Sequence, residues 1–112
     1  MDFVPLENEE QIIEIKRAKG YNVIFKHNTT CPISKSVRSK FEEEADTLPE
    51  VNSVYFLDLL ANRNLSDAIA KEFDVEHESP QLLLIKDGKC TYSNSLYDIT
   101  IEDTAEAIER GQ

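Results

Sequence analysis

The chain has 112 residues, of which 40% are hydrophobic and 30% are charged, and its formal net charge is −10. This length and composition are typical of one soluble globular domain, which we expect to span residues 1–112. The acidic balance argues against nucleic acid as a partner. No apolar run approaches the ~20 residues of a membrane span, so we expect no membrane partner either.

The N-terminal segment and the cysteine count bear on the cellular compartment. Residues 1–10 are acidic and lack the basic and apolar regions of a signal peptide, which predicts a cytoplasmic protein. Two cysteines do not make a structural disulfide framework. Two cysteines and two histidines without paired ligand spacing also predict no metal site.

The first half of the chain contains two predicted helices and the strand between them. Asn8 is a typical N-cap for the first helix, and Gly20 ends it. Residues 21–26 form a short, mostly apolar strand. Pro32 then suits the first turn of the second helix, because its missing N–H costs nothing there. We expect that helix to run to about Leu48.

The second half is predicted to contain three further strands and two helices. In chain order these are a strand within 51–60, a helix with the apolar stripe Leu65, Ile69 and Phe73, strands over 81–86 and 89–93, and a helix capped by Thr100 and ended by Gly111. Asp87-Gly88, between the last two strands, predicts a two-residue hairpin turn.

The resulting element order is α-β-α-β-α-β-β-α. Two strands joined by a helix form a right-handed parallel unit, and the terminal hairpin adds antiparallel strands. The order therefore predicts an α/β fold of the thioredoxin-like class, with a mixed four-stranded sheet flanked by helices. A helix that begins directly after the first strand presents its N-terminus at that strand's carboxyl end, where active sites tend to lie.

Cys31 lies where the first predicted strand has ended and the second helix begins. Unpaired backbone N–H groups and the positive end of the peptide dipoles at this point favour the thiolate, which is the reactive form of cysteine. The segment 20–41 contains no Asp or Glu. Three of its basic residues, Lys26, Lys35 and Arg38, are placed to stabilise a thiolate or to bind carboxylates of a small thiol. The sequence thus predicts a redox-active or nucleophilic thiol.

The residue three positions after Cys31 is Ser34, on the same helical face. Two roles are open for its hydroxyl: donation to the Cys31 thiolate, or hydrogen bonding to backbone groups of the first turn. A serine cannot resolve a disulfide. A mixed disulfide on Cys31 therefore has to be cleared by a thiol from outside this motif.

Two motifs resemble those of a known family. Residues 30–34, Thr-Cys-Pro-Ile-Ser, are similar to the Cys-Pro-x-Cys motif of glutaredoxins with serine in place of the second cysteine. Residues 77–81, His-Glu-Ser-Pro-Gln, precede a strand, where thioredoxin-fold proteins place a cis-proline. Together with Lys-Asp-Gly-Lys at 86–89, these strings resemble the monothiol bacilliredoxins of bacillithiol-producing bacteria over nearly the whole chain.

The resemblance implies a function and a set of site residues. Bacilliredoxins remove bacillithiol from protein mixed disulfides, so Cys31 would be the attacking thiol, with Ser34 beside it. Bacillithiol would be the co-substrate and bacillithiolated proteins the partners, with no tightly bound cofactor. The backbone ahead of a cis-proline would pair with a substrate chain as a short β-like segment. Substrate contacts would then fall on Thr30, Pro32, Ser79 and Pro80.

Three other functions stay open at this point. Cys90 follows the predicted hairpin and is expected to be a small core or edge residue. It would be the resolving thiol of a dithiol enzyme if it met Cys31, which requires Cα atoms within about 7 Å. A non-catalytic redox sensor or binding module would use Cys31 without turnover. His27 and His77 near the thiol would fit a cysteine hydrolase, although no third, orienting partner is evident.

Overall fold

The computed structural model of the protein describes residues 3–111. Met1, Asp2 and Gln112 lie outside the described residues, and so do the two ends of the domain expected over 1–112. In chain order the elements are β1 (Phe3–Pro5), α1 (Glu9–Arg17), β2 (Tyr21–His27), α2 (Pro32–Glu44), β3 (Val54–Asp58), α3 (Arg63–Glu72), β4 (Gln81–Lys86), β5 (Lys89–Ser95) and α4 (Ile101–Arg110). Short 3₁₀ turns lie at Ala45–Thr47 and Leu96–Asp98.

The strands form one mixed sheet in the order β1-β3-β2-β4-β5. Strands β1, β3 and β2 are parallel, while β4 and β5 are antiparallel to their neighbours. This is the predicted thioredoxin-like arrangement, but the expected count of four strands is wrong because β1 is a fifth. β1 has only three residues and ends in Pro5, a residue that a sheet tolerates at its edge. Three residues are too few to show the alternation of polar and apolar residues that predicts a strand.

Hydrophobic cores lie on both faces of the sheet. On one face, Phe25 packs in a cluster with buried side chains of α2 and α4, including Phe41 and Ile108. On the other face, Ile24 packs with buried side chains of α1 and α3, including Ile15 and Ile69. Neighbouring residues of β2 thus enter opposite layers, as the period of two in a strand requires.

The N-caps of α1 and α4 agree with the sequence, whereas α1 ends at Arg17, with Ala18 as its C-cap, before the expected Gly20. The Asn8 side chain accepts from the Gln11 N–H and the Gln11 side chain accepts in return, which makes a capping box at α1. The Thr100 side chain accepts from the Asp103 N–H at α4. Helix α2 ends at Glu44, before the expected Leu48, because its last turn tightens into a 3₁₀ helix.

The hairpin between β4 and β5 is held by two residues in left-handed conformation, Asp87 with φ of 49° and Gly88 with φ of 81°. This is the geometry of a two-residue hairpin turn with positive φ at both positions. A Cβ at Gly88 would collide with the backbone carbonyl of Lys16 in α1. Gly88 is therefore required both for its φ and for the close approach of α1.

We expect Gly88→Ala to lower the free energy of unfolding by roughly 2–4 kcal/mol, because strained φ and a backbone collision add. Gly20→Ala is the matched control. Gly20 also has a positive φ of 82°, but a Cβ there meets nothing closer than 3.6 Å. We expect it to cost only about 1 kcal/mol. Urea denaturation of both variants measures the difference, and equal losses would contradict the collision.

Candidate active site

Cys31 is the N-cap residue of α2, with extended backbone and a half-buried side chain. Its N–H donates to the Asn28 carbonyl at 3.1 Å, and its carbonyl accepts from the Lys35 N–H at 3.1 Å. The Asn28 side-chain oxygen accepts from both the N–H and the hydroxyl of Thr30, at 2.9 and 2.8 Å. The loop ahead of the thiol is therefore a closed turn organised by Asn28.

Ser34 is fully buried, and its Oγ accepts from the Asn28 N–H at 2.8 Å. Of its two expected roles, hydrogen bonding to the backbone is therefore present. That bond uses an oxygen lone pair and leaves the hydroxyl proton to be donated elsewhere. The bond ties the first turn of α2 to the loop that carries Cys31, so Ser34 fixes the position of the thiol.

The register of the sheet brings the Ser79-Pro80 segment to the same edge as Cys31. Lys26, near the end of β2, pairs with Gln81, at the start of β4. The Ser79-Pro80 peptide bond is cis, as the resemblance implies. The Pro80 carbonyl accepts from the Leu96 N–H at 3.1 Å. The Cys31 loop, the Ser79-Pro80 segment and the turn that contains Leu96 therefore lie at the end of the sheet where β2 ends.

The candidate residues on and around α2 differ in exposure: three are exposed and Arg38 is half-buried. Thr30, Pro32 and Lys35 are exposed around Cys31, so a substrate can reach them. Arg38 lies further along α2 and is already engaged, with Nε 2.6 Å from a Glu42 oxygen and the guanidinium 4.4 Å from the centre of the Phe56 ring. A ligand anion at Arg38 would therefore compete with Glu42 for the guanidinium.

The two histidines have partners other than the thiol. His27 is buried, and its Nε2 lies 2.9 Å from Nη1 of Arg38. Burial and then the Arg38 charge lower the pKa of His27, although Asp58 and Glu42 act in the opposite direction. The Nδ1 of His77 lies 3.3 Å from Nζ of Lys26. These contacts make both imidazoles structural groups.

The side chain of Lys26 is buried and does not lie at the surface, where it could meet a ligand. It was a candidate to assist the thiolate or a carboxylate, but its side chain is fully buried on the face of the sheet covered by α1 and α3. Burial lowers the pKa of Lys26 to about 8, against an opposing effect of Asp67. His77 has a lowered pKa too, first by burial and then by Lys26, against Asp67 and Glu78. Sequence patterns indicate such a cluster only through a lysine inside an apolar strand.

Cys90 lies at the opposite end of the sheet from Cys31. It pairs with Ile85, which in turn pairs with Asn22 near the start of β2. From Asn22 to His27 the strand advances five residues, about 17 Å, and the Cys31 loop lies beyond. Burial raises the pKa of the Cys90 thiol, whose Sγ donates to the Tyr92 carbonyl at 3.4 Å. Cys90 is therefore a small packing residue, as expected, and is out of reach of Cys31.

Two exposed apolar side chains near the site were not identified from the sequence as part of it. Leu96 and Tyr97 are 48% and 66% exposed and belong to the 3₁₀ turn that hydrogen-bonds to Pro80. The run Leu-Tyr after a strand carries no pattern that indicates a functional site. Across residues 3–111, no helix is long and apolar enough to cross a membrane. The same residues contain no group of three potential metal ligands among His, Cys, Asp and Glu.

Comparison with solved structures agrees with this fold and site. A protein provisionally described as an oxidoreductase with a thioredoxin fold is 30% identical, with a TM-score of 0.81, over 94% of this chain and 92% of its own. Thioredoxin of Fasciola hepatica is 21% identical over the whole of both chains, with a TM-score of 0.65. Thioredoxin of Malassezia sympodialis is 19% identical over 98% of this chain and 90% of its own, with a TM-score of 0.71.

A half-buried cysteine at a helix N-terminus, at the same end of a thioredoxin-like sheet as a cis-proline, defines a thiol oxidoreductase of the thioredoxin class. The family can be stated more closely. The model of the monothiol bacilliredoxin family BrxC matches residues 4–104, and the chain belongs to that family.

The buried amine of Lys26 gives a testable pH dependence of stability. Its pKa is lowered from 10.5 to about 8 in the folded protein. Between these values the unfolded chain binds more protons than the folded one, so the Lys26 contribution to stability rises with pH. Below about pH 8 both states are protonated and the burial penalty is complete.

We therefore expect the wild type to gain stability relative to Lys26→Met as the pH rises from 7 to about 10. Urea denaturation at several pH values measures the difference between the two proteins, which removes the titration of the other groups. Lys71→Met, at an exposed position of α3, is the control and should give a nearly constant difference. A difference between wild type and Lys26→Met that does not change with pH would show that Lys26 titrates as an ordinary lysine.

Proposed function

We propose that this protein removes bacillithiol from protein mixed disulfides by a monothiol mechanism. The observation that supports it most directly is the isolation of the Cys31 thiol. The residue at the resolving position is the buried Ser34, and Cys90 lies at the other end of the sheet. Membership of the monothiol bacilliredoxin family supports bacillithiol as the small thiol.

The chemistry consists of two disulfide exchanges without net oxidation in either step. The Cys31 thiolate attacks the bacillithiol sulfur of the mixed disulfide, and the client cysteine leaves as a thiolate that takes up a proton. Bacillithiol is then bonded to Cys31. A second bacillithiol, as its thiolate, attacks the sulfur of the bound bacillithiol, which releases Cys31 and forms bacillithiol disulfide.

The exposed residues around Cys31 suit these steps. Thr30 and Pro32 flank the thiol at the surface, and Lys35 provides a positive charge for carboxylates of bacillithiol. The Ser79 backbone ahead of cis-Pro80 would pair with the client chain. Arg38 contributes less to anion binding because Glu42 already binds its guanidinium. We place the reaction in the cytoplasm, with no metal, nucleic acid or membrane taking part.

The first test compares the two cysteines on a bacillithiolated protein. We expect Cys31→Ser to abolish release of bacillithiol and Cys90→Ser to retain most of it, because only Cys31 lies at the helix N-terminus. Mass spectrometry of the client measures the release. Equal loss in both variants would favour a dithiol enzyme. An adduct on Cys31 that forms but never turns over with excess bacillithiol would favour a redox sensor.

The second test is Ser34→Cys, which introduces a thiol at the resolving position. In the wild type, the adduct on Cys31 should persist until a small thiol arrives. In the variant the resolving step becomes intramolecular, with an effective thiol concentration in the millimolar range or higher. We expect spontaneous release of bacillithiol and a disulfide between positions 31 and 34, both visible by intact mass. Clearance of the wild-type adduct without added thiol would contradict the monothiol mechanism.

A further inference from the structure

A cluster of buried polar groups lies beneath the segment that leads to the cis-proline. Lys26 is fully buried, and Nζ lies 3.3 Å from Nδ1 of His77. The hydroxyl of Ser66, a fully buried residue of α3, lies 3.2 Å from the same nitrogen. His77 itself is exposed. A strand and a helix therefore both hold one side of its imidazole ring.

The same segment is tied to the sheet by Gln81, which is also buried. Its Nε2 donates to the Glu76 carbonyl at 2.9 Å, and its Oε1 accepts from the Glu78 N–H at 3.3 Å. Three buried residues from three elements thus fix residues 76–78. Cis-Pro80 follows two residues later.

The donor and acceptor roles in these contacts determine the tautomer of the His77 imidazole. While the Lys26 amine is protonated it has donors and no acceptor, so Nδ1 of His77 accepts and the proton of the neutral ring lies on Nε2. The charged groups around the cluster are Asp67 of α3 and Glu78 of the same segment, and both act against the lowered pKa of His77. No carboxylate within residues 3–111 forms an ion pair with Lys26.

This arrangement is costly for stability. A buried amine with neutral hydrogen-bond partners keeps most of its desolvation penalty, and an apolar side chain of similar length would avoid it. Methionine would fill the same space beside the apolar cluster that contains Ile24 and Leu83. Packing alone therefore gives no reason for a lysine at this position, whereas a fixed hydrogen bond to His77 does.

We propose that Lys26 is a positioning residue: its buried amine holds His77, and with Ser66 and Gln81 it fixes the segment 76–79 that docks the polypeptide of the mixed-disulfide substrate. The docking role rests on the proposed function, while the hydrogen-bonded brace does not. Lys26 acts on the client protein through this segment, and it leaves the Cys31 thiol and the small-thiol step unaffected.

The test compares Lys26→Met with Lys71→Met, an exposed α3 substitution with the same change in charge. Amide hydrogen exchange measures the brace. We expect exchange at Glu78, whose N–H donates to Gln81, to become about tenfold faster in Lys26→Met, as for the loss of one hydrogen bond, with the amides of α4 unchanged. Lys71→Met should match the wild type. Unchanged exchange at Glu78 would overturn the proposal.

Kinetics measure the docking role. For a bacillithiolated protein substrate we expect KM to rise about tenfold in Lys26→Met with kcat nearly unchanged, because uniform binding energy is lost. The rate of Cys31 alkylation by iodoacetamide, which needs no docking, should stay at the wild-type value. A parallel fall in alkylation would place the effect on the thiol itself and overturn the positioning role. Faster amide exchange with an unchanged KM would overturn docking.

A second pair of variants keeps the proposal testable if Lys26→Met does not fold. His77→Asn retains an acceptor near the position of Nδ1, whereas His77→Phe removes it. We expect His77→Phe to reproduce the faster exchange and raised KM, and His77→Asn to restore much of both. Equal behaviour of the two variants would contradict a hydrogen-bonded brace. If the wild type releases no bacillithiol from any protein, the proposed function fails, and amide exchange alone decides the brace.

Discussion

The central strand β2 is the constraint on which the rest of this molecule depends. All seven of its residues are buried, and it pairs with β3 on one side and β4 on the other. Alternate side chains enter the two cores, so a slip of one residue would place Phe25 and Lys26 in each other's layers. The loop that carries Cys31 begins where this strand ends. The position of the thiol is therefore set by a strand that is buried along its whole length and paired on both sides.

Hydrophobic packing alone does not complete the edge of the sheet where β2 ends. Strand ends and helix starts leave backbone N–H groups that need partners, and at this edge side chains supply them. Ser34 accepts from the Asn28 N–H, and Gln81 accepts from the Glu78 N–H. The side chains that accept from these backbone N–H groups thus hold the thiol loop on one side and the cis-proline segment on the other.

Much of the fold follows from sequence patterns, and the exceptions have physical causes. The hairpin at Asp87-Gly88 was predictable because its turn chemistry is local. Strand β1 was not, since three residues gain their strand structure from pairing with β3 and not from any pattern of their own. The 3₁₀ turn after α2 likewise depends on how the chain packs, which local propensity does not encode.

Some residues of the candidate site are predictable from the sequence, and others are seen only in the structure. Cys31, the serine at position 34 and the cis-proline follow from motifs that are contiguous in sequence. The cluster of Lys26, Ser66 and His77 joins residues up to 51 positions apart, and only the packing of β2, α3 and the segment before β4 brings them together. Arg38 shows the converse, because a cation that the sequence offers for ligands is bound by Glu42. The sequence shows that Arg38 is charged, but it does not show that Glu42 pairs with it.

In the proposed monothiol reaction, the step with the client protein and the step with the small thiol place different demands on one site. A client protein is large and presents its disulfide in one orientation, so it benefits from a rigid segment against which to align. The attacking small thiol needs access to the disulfide more than alignment. In the proposed function, the braced residues 76–79 would meet the first demand, and the exposed surface at Thr30 and Pro32 would meet the second. A second cysteine at position 34 would bypass the small thiol, so in the proposed mechanism the buried serine there keeps both steps necessary.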